Sequence, residues 1–127
     1  MSTRKYKFTS DTRNHKTRAK RIEDAQALRE SRITEAQKLL VLHTLNELLP
    51  IISKNTLEEI QNSSPSNKDR IRVRTAMAYY GHHALDLTLE ELSYGLNIAL
   101  EKIRSNVKTR PVNGKIIHYL QQLEEYY

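Results

Sequence analysis

The sequence predicts a mainly α-helical protein in which a single domain follows a basic N-terminal arm. Apolar residues recur at three- and four-residue steps over long stretches, which is the spacing of an amphipathic helix. Glycine and proline number only three each among 127 residues, and the positive charge is concentrated at one end of the chain. A chain of this length can build one hydrophobic core but not two. We therefore place a flexible arm at residues 1–21 and one helical domain at residues 22–127.

The arm combines eight lysine and arginine side chains with one aspartate, a net charge of +7, whereas the rest of the chain has 13 basic and 14 acidic side chains. So dense a block of like charge is expected to stay disordered until it meets a polyanion, of which nucleic acid is the commonest. In the alternative interpretation the arm only improves solubility. Its basic residues are Arg4, Lys5, Lys7, Arg13, Lys16, Arg18, Lys20 and Arg21.

The domain should begin with a long amphipathic helix over residues 22–49, which Pro50 should stop or kink because proline lacks an N–H. Thr56 and Thr88 each precede a glutamate by three residues, the pattern of a helix-capping box. Asn55 or Thr56 should cap a short helix that runs to Gln61. The polar residues 62–67 predict a surface loop, and a further helix should begin near Lys68.

Residues 88–107 have the spacing of two short helices joined by a tight turn. Leu92, Ser93 and Leu96 supply the apolar and small side chains that a close helix crossing needs. Asn97 tolerates the positive φ of such a turn. After the turn, Ile98 should close it, and Ile103 and Val107 give the second helix an apolar face.

This pattern resembles the helix-turn-helix family of DNA-binding proteins, whose second helix enters the major groove. Asn106 departs from the family, which more often has an apolar residue at that position. Ala99, Leu100 and Glu101 also count against DNA binding, because they stand where base-reading side chains are expected and Glu101 would face phosphates. The alternative is a pair of core helices joined by a loop.

From Lys102 to Lys115 the chain has five basic side chains and no acidic one, which suits contact with phosphates. The resemblance implies a DNA-binding set made of Lys102, Arg104, Ser105, Lys108, Arg110 and Lys115. Asn113-Gly114 between short β-prone runs indicates a hairpin, which would form the wing of a winged helix-turn-helix. Equally, the same pair could separate two helices. A last helix is expected over residues 118–127.

Residues 14–21 of the arm resemble the arginine-rich RNA-binding segments of lambdoid phage N-type antitermination proteins. Those segments fold as a helix on an RNA hairpin, so the likeness implies an RNA partner. A DNA partner requires no such specific fold, because a basic arm can lie along a groove beside a helix-turn-helix.

Several classes of function are not expected. The chain has no cysteine, so disulfides, thiolate metal sites and cysteine nucleophiles are excluded. His82 and Asp86 have helical spacing, but no third ligand accompanies them. We find no phosphate-binding glycine loop and no catalytic constellation. No stretch is apolar enough to span a membrane, and we expect a cytoplasmic protein without enzymatic activity, cofactor or metal.

The function that these observations favour is sequence-specific DNA binding by a transcriptional regulator of phage, plasmid or bacterial type. One alternative is an RNA-binding, antitermination-like protein that uses the arm. Another is a non-enzymatic adaptor, or a homodimer, formed through the leucine-rich helix at 22–49.

Overall fold

The computed structural model describes residues 33–127, so the basic arm and residues 22–32 of the first predicted helix lie outside the part described. This part of the chain is mainly helical and contains no strand. Its helices are α1 (Glu35–Ile52), α2 (Leu57–Gln61), α3 (Lys68–Leu85), α4 (Leu89–Leu96), α5 (Leu100–Lys108) and α6 (Gly114–Tyr126).

Capping side chains explain where most of these helices begin. Thr34, Thr56 and Thr88 each accept a hydrogen bond from the backbone N–H three residues on, and the side chain at that position bonds back to the threonine N–H. These reciprocal bonds satisfy two donors that a helix N-terminus leaves unpaired. The capping boxes predicted at Thr56 and Thr88 are therefore confirmed. Asn67 and Asn113 cap α3 and α6 through single side-chain acceptors.

Helix α3 lies at the centre of the domain and packs against all five other described helices. Helix α1 covers one side through contacts with α4 and α6, and α5 packs only against α3 and α4. The core draws on every one of these helices. Its fully buried large apolar side chains are Val41, Leu45, Leu48, Ile60, Val73, Met77, Leu92, Leu96, Ile103, Leu120 and Leu123.

Helix α1 differs from its prediction at both ends. It begins at Glu35, after the cap at Thr34, so the helix predicted over 22–49 is not continuous through that residue. It also passes Pro50 and ends at Ile52. Pro50 is exposed and occupies the last turn, where the missing N–H leaves unpaired only the carbonyl of Asn46, which is also exposed.

Helix α1 has one leucine-rich face buried in the domain and another exposed to solvent. Leu45, Leu48 and Leu49 are buried in the domain's own core, so they are not available for the dimer seam suggested by the sequence. Leu39 and Leu40, by contrast, are 69% and 56% exposed. Both faces of this helix are rich in leucine, and composition alone does not show which one a domain will cover.

The structure gives no support to a hairpin wing. Asn113 accepts hydrogen bonds from the N–H groups of Lys115 and Ile116, and Gly114 is the first residue of α6. The last helix therefore begins four residues before the predicted start at His118, and it buries Leu120 and Leu123. Among residues 33–127, no helix is both long enough and apolar enough to cross a membrane.

Candidate nucleic-acid interface

The turn between α4 and α5 is built around Asn97. Asn97 has φ 55° and ψ 49°, the left-handed conformation that the sequence predicted at this position. Asparagine adopts this conformation more readily than most residues that carry a Cβ atom. Ser93, fully buried, donates its hydroxyl to the carbonyl of Ile98 at 2.5 Å, and the Ile98 N–H bonds back to the Ser93 carbonyl at 3.2 Å. This closed ring of bonds fixes the direction in which α5 leaves the turn.

Helix α5 has two distinct faces. Ile103 is fully buried and Val107 is 6% exposed, so these two side chains hold the helix on the domain, as the sequence predicted. The opposite face is exposed and polar. It presents Glu101, Lys102, Arg104, Ser105 and Lys108 to solvent.

The cations of this exposed face are unpaired within the described part of the chain. Lys102, Arg104 and Lys108 make no salt bridge there, although residues 33–127 contain equal numbers of basic and acidic side chains. Elsewhere in the domain, Arg70 bonds to Glu59 at 3.2 Å and Arg110 lies 3.9 Å from Glu124. Helix α5 thus concentrates positive charge that the domain itself does not neutralise.

The far end of α5 is attached to the last turn of α3. The Nε2 of His83 donates to the carbonyl of Val107 at 2.7 Å, which satisfies one of the carbonyls that a helix C-terminus leaves unpaired. No sequence pattern indicates this bond, because 24 residues separate its partners. Asn106 has its Nδ2 buried without an acceptor in the described part of the chain, in agreement with the view that an apolar side chain would suit this position better.

Two of the predicted DNA-binding residues lie outside this face. Arg110 packs its guanidinium 5.9 Å from the centre of the Tyr79 ring and lies close to Glu124. It lines a cleft of about 220 Å³ between α3 and α6. Lys115 is exposed in the first turn of α6, a helix that makes no backbone contact with α5 in the described domain. The structure therefore groups Lys102, Arg104, Ser105 and Lys108 and separates them from Arg110 and Lys115.

The predicted nucleic-acid-binding residues of the arm, from Arg4 to Arg21, lie outside the described residues. The candidate interface on α5 is therefore defined by residues of the helical domain alone.

The remaining ionisable groups serve packing. His82 donates its Nδ1–H to the Leu87 carbonyl at 2.9 Å, and Asp86 follows the end of α3 in a left-handed conformation, so these two residues do not share a helix face. Within residues 33–127, no three histidine or acidic side chains converge as metal ligands would. Arg74 is buried at 9% exposure, and this burial lowers its pKa.

Comparison with protein-family models, curated proteins and solved structures finds no match to this chain. The interpretation of α5 therefore depends on its geometry and charge alone.

Proposed function

We propose that the chain is a sequence-specific DNA-binding protein of the helix-turn-helix type, with α4 and α5 as the motif. The observation that supports this most is the exposed face of α5. It presents cations that have no partner in the described domain, while two buried side chains on the opposite face hold the helix in place. Such a face suits the major groove, which is about 12 Å wide and admits one α-helix. Lys102 and Lys108 would contact phosphates, while Arg104 and Ser105 on the exposed face would lie toward the base edges.

The left-handed turn at Asn97 supports the same proposal. A helix that enters a groove must project from the domain, and this requires the preceding helix to end sharply and the chain to change direction within a few residues. Only Asn97, Ile98 and Ala99 separate α4 from α5. Among residues 33–127, α5 packs on α3 and α4 alone, so no other helix of this part covers its polar side.

The proposal is tested by fluorescence anisotropy of the full chain with labelled duplex DNA, duplex RNA of the same sequence and polyglutamate. We expect duplex DNA to bind best at physiological salt. The double variant Lys102→Ala with Lys108→Ala should weaken DNA binding and reduce the salt dependence by about 1.8 counterions, because each phosphate contact releases about 0.9.

A matched control is available elsewhere in the domain. Lys54 and Lys68 are also exposed and unpaired in the described part of the chain, and Lys68 begins α3 at the end opposite His83. Their replacement by alanine removes the same charge but should leave the salt dependence unchanged. If both double variants bind DNA equally, or if polyglutamate competes as well as DNA does, α5 is not the contact surface.

A further inference from the structure

Glu101 is an acidic side chain on the face of α5 that otherwise presents cations, and it is therefore unexpected on a surface that meets a polyanion. It is exposed in the first turn of the helix. At about 100° per residue, Ser105 and Lys108 lie about 40° and about 20° from Glu101 around the helix axis. Ile103, which faces the core, lies about 160° away on the same scale. Glu101 thus projects from the same side of α5 as Ser105 and Lys108.

Within residues 33–127, the Glu101 carboxylate makes no hydrogen bond and no ion pair. It also does not cap its own helix, because α5 begins after Ala99 without any side-chain capping bond. The carboxylate lies in the first turn of α5, where the helix dipole favours a negative charge, but in the described domain it takes part in neither a capping box nor an ion pair. This leaves its hydrogen-bonding capacity available for a partner.

We infer that Glu101 is a specificity-determining residue that accepts a hydrogen bond from the N4 amino group of a cytosine in the major groove. The inference rests on the proposed function, and it names the base pair that α5 selects. An ionised carboxylate only accepts hydrogen bonds. Cytosine offers an amino donor in the major groove and no acceptor beside it on the same base. Adenine places its N6 donor next to the N7 acceptor, which repels a carboxylate, and guanine offers only the acceptors N7 and O6. Glu101 therefore favours a C·G pair and disfavours the reverse orientation, and it is repelled by phosphates on either side.

The experiment selects binding sites from a randomised duplex library with the full chain and reads the base preference at each position by sequencing. The parent protein should prefer cytosine at one position by about tenfold, within the range that one good base contact supplies. Glu101→Gln should move that preference toward adenine, because glutamine pairs with the N6 and N7 atoms of adenine. Glu101→Ala should abolish the preference at that position alone.

Binding to a fixed unrelated duplex gives a second measurement. Both variants should bind it more tightly than the parent, because a negative charge near the phosphates has been removed. Glu125→Gln is the matched control: Glu125 is exposed on α6, which does not contact α5. This control should leave both the base preference and the unrelated binding unchanged.

The possible results separate the two proposals. If the parent binds no duplex DNA, the proposed function fails and the inference fails with it. If the parent selects a site and both Glu101 variants select the same bases at every position, the DNA-binding proposal stands and the role of Glu101 is refuted. Thermal melts of the variants should stay close to the parent, since Glu101 has no side-chain bond in the described domain to lose and its interaction with the helix dipole is small at an exposed site.

Discussion

Replacing Gly95 with alanine should destabilise the domain at the crossing of α1 and α4. A Cβ atom at position 95 would lie 2.6 Å from Cδ1 of Leu45 and 3.1 Å from Cγ2 of Val41. Both of these side chains are fully buried, so neither can move into solvent to make room. The two helices approach this closely only because Gly95 has no side chain.

The expected size of the effect follows from two opposing contributions. Alanine is more favourable than glycine in a helix by about 1 kcal/mol. Overpacking a core costs about 1 to 3 kcal/mol, and a contact of 2.6 Å lies well inside the optimum of about 3.5 to 4.0 Å. The upper end of that cost therefore applies, which leaves a net loss of about 2 kcal/mol. For a domain of this size, such a loss lowers Tm by roughly 8 to 16 °C.

Thermal and urea denaturation followed by circular dichroism measure the change. Gly114→Ala is the matched control, because a Cβ atom added at position 114 would meet nothing within 4 Å, and this variant should be as stable as the parent or more so. In a Leu45→Ala background, which removes the Cδ1 atom, Gly95→Ala should cost little or nothing. The reasoning is refuted if Gly95→Ala melts with the parent, or if its cost is the same in both backgrounds.

Three further predictions concern the turn, the arm and the packing of α6. Asn97→Gly should be tolerated, whereas Asn97→Val should lower Tm because a β-branched residue resists positive φ; equal melts would contradict the assigned turn. Deletion of residues 2–21 should flatten the dependence of DNA affinity on salt, and an unchanged slope would show that the arm does not contact the ligand. The hydrogen bond from Tyr119 to Asp69, at 2.6 Å, raises the pKa of Tyr119 to about 12. The protonated phenol therefore stabilises the fold fully below pH of about 10, the unfolded value, and this contribution is lost as pH rises through about 12. Tyr119→Phe should remove this pH dependence from urea titrations, whereas Tyr126→Phe, at an exposed site, should not.

Local chemistry predicted the starts of α2 and α4 and the turn after α4. The threonine caps at positions 56 and 88 form because each side chain bonds to the backbone three residues on. The left-handed conformation of Asn97 follows from the conformational preference of asparagine itself. The inward positions of Ile103 and Val107 follow from helical spacing, which is equally local. None of these features requires knowledge of where a distant segment lies.

Features that depend on tertiary packing could not be decided from the local sequence. Asn113-Gly114 suits both a hairpin turn and a helix start, and the choice was decided by α6, which buries Leu120 and Leu123 against the domain. Arg110 belongs to the DNA-binding set that the resemblance implies. The ring and carboxylate beside it in the structure come from α3 and α6, and the sequence does not show that these helices meet there.

Different residues determine the position of α5 and the chemistry of its surface. Its position depends on Ile103, Val107 and the bond from His83, which together outweigh the buried, unpaired amide of Asn106. An unsatisfied buried donor costs about 1 to 3 kcal/mol, so α5 is held less firmly than an apolar residue at position 106 would allow. The surface residues take no part in this balance, because their side chains have no partner in the described domain. Substitutions at Lys102, Lys108 and Glu101 therefore change what α5 can bind without changing where it lies, and this separation is what allows a binding result to be assigned to contact and not to folding.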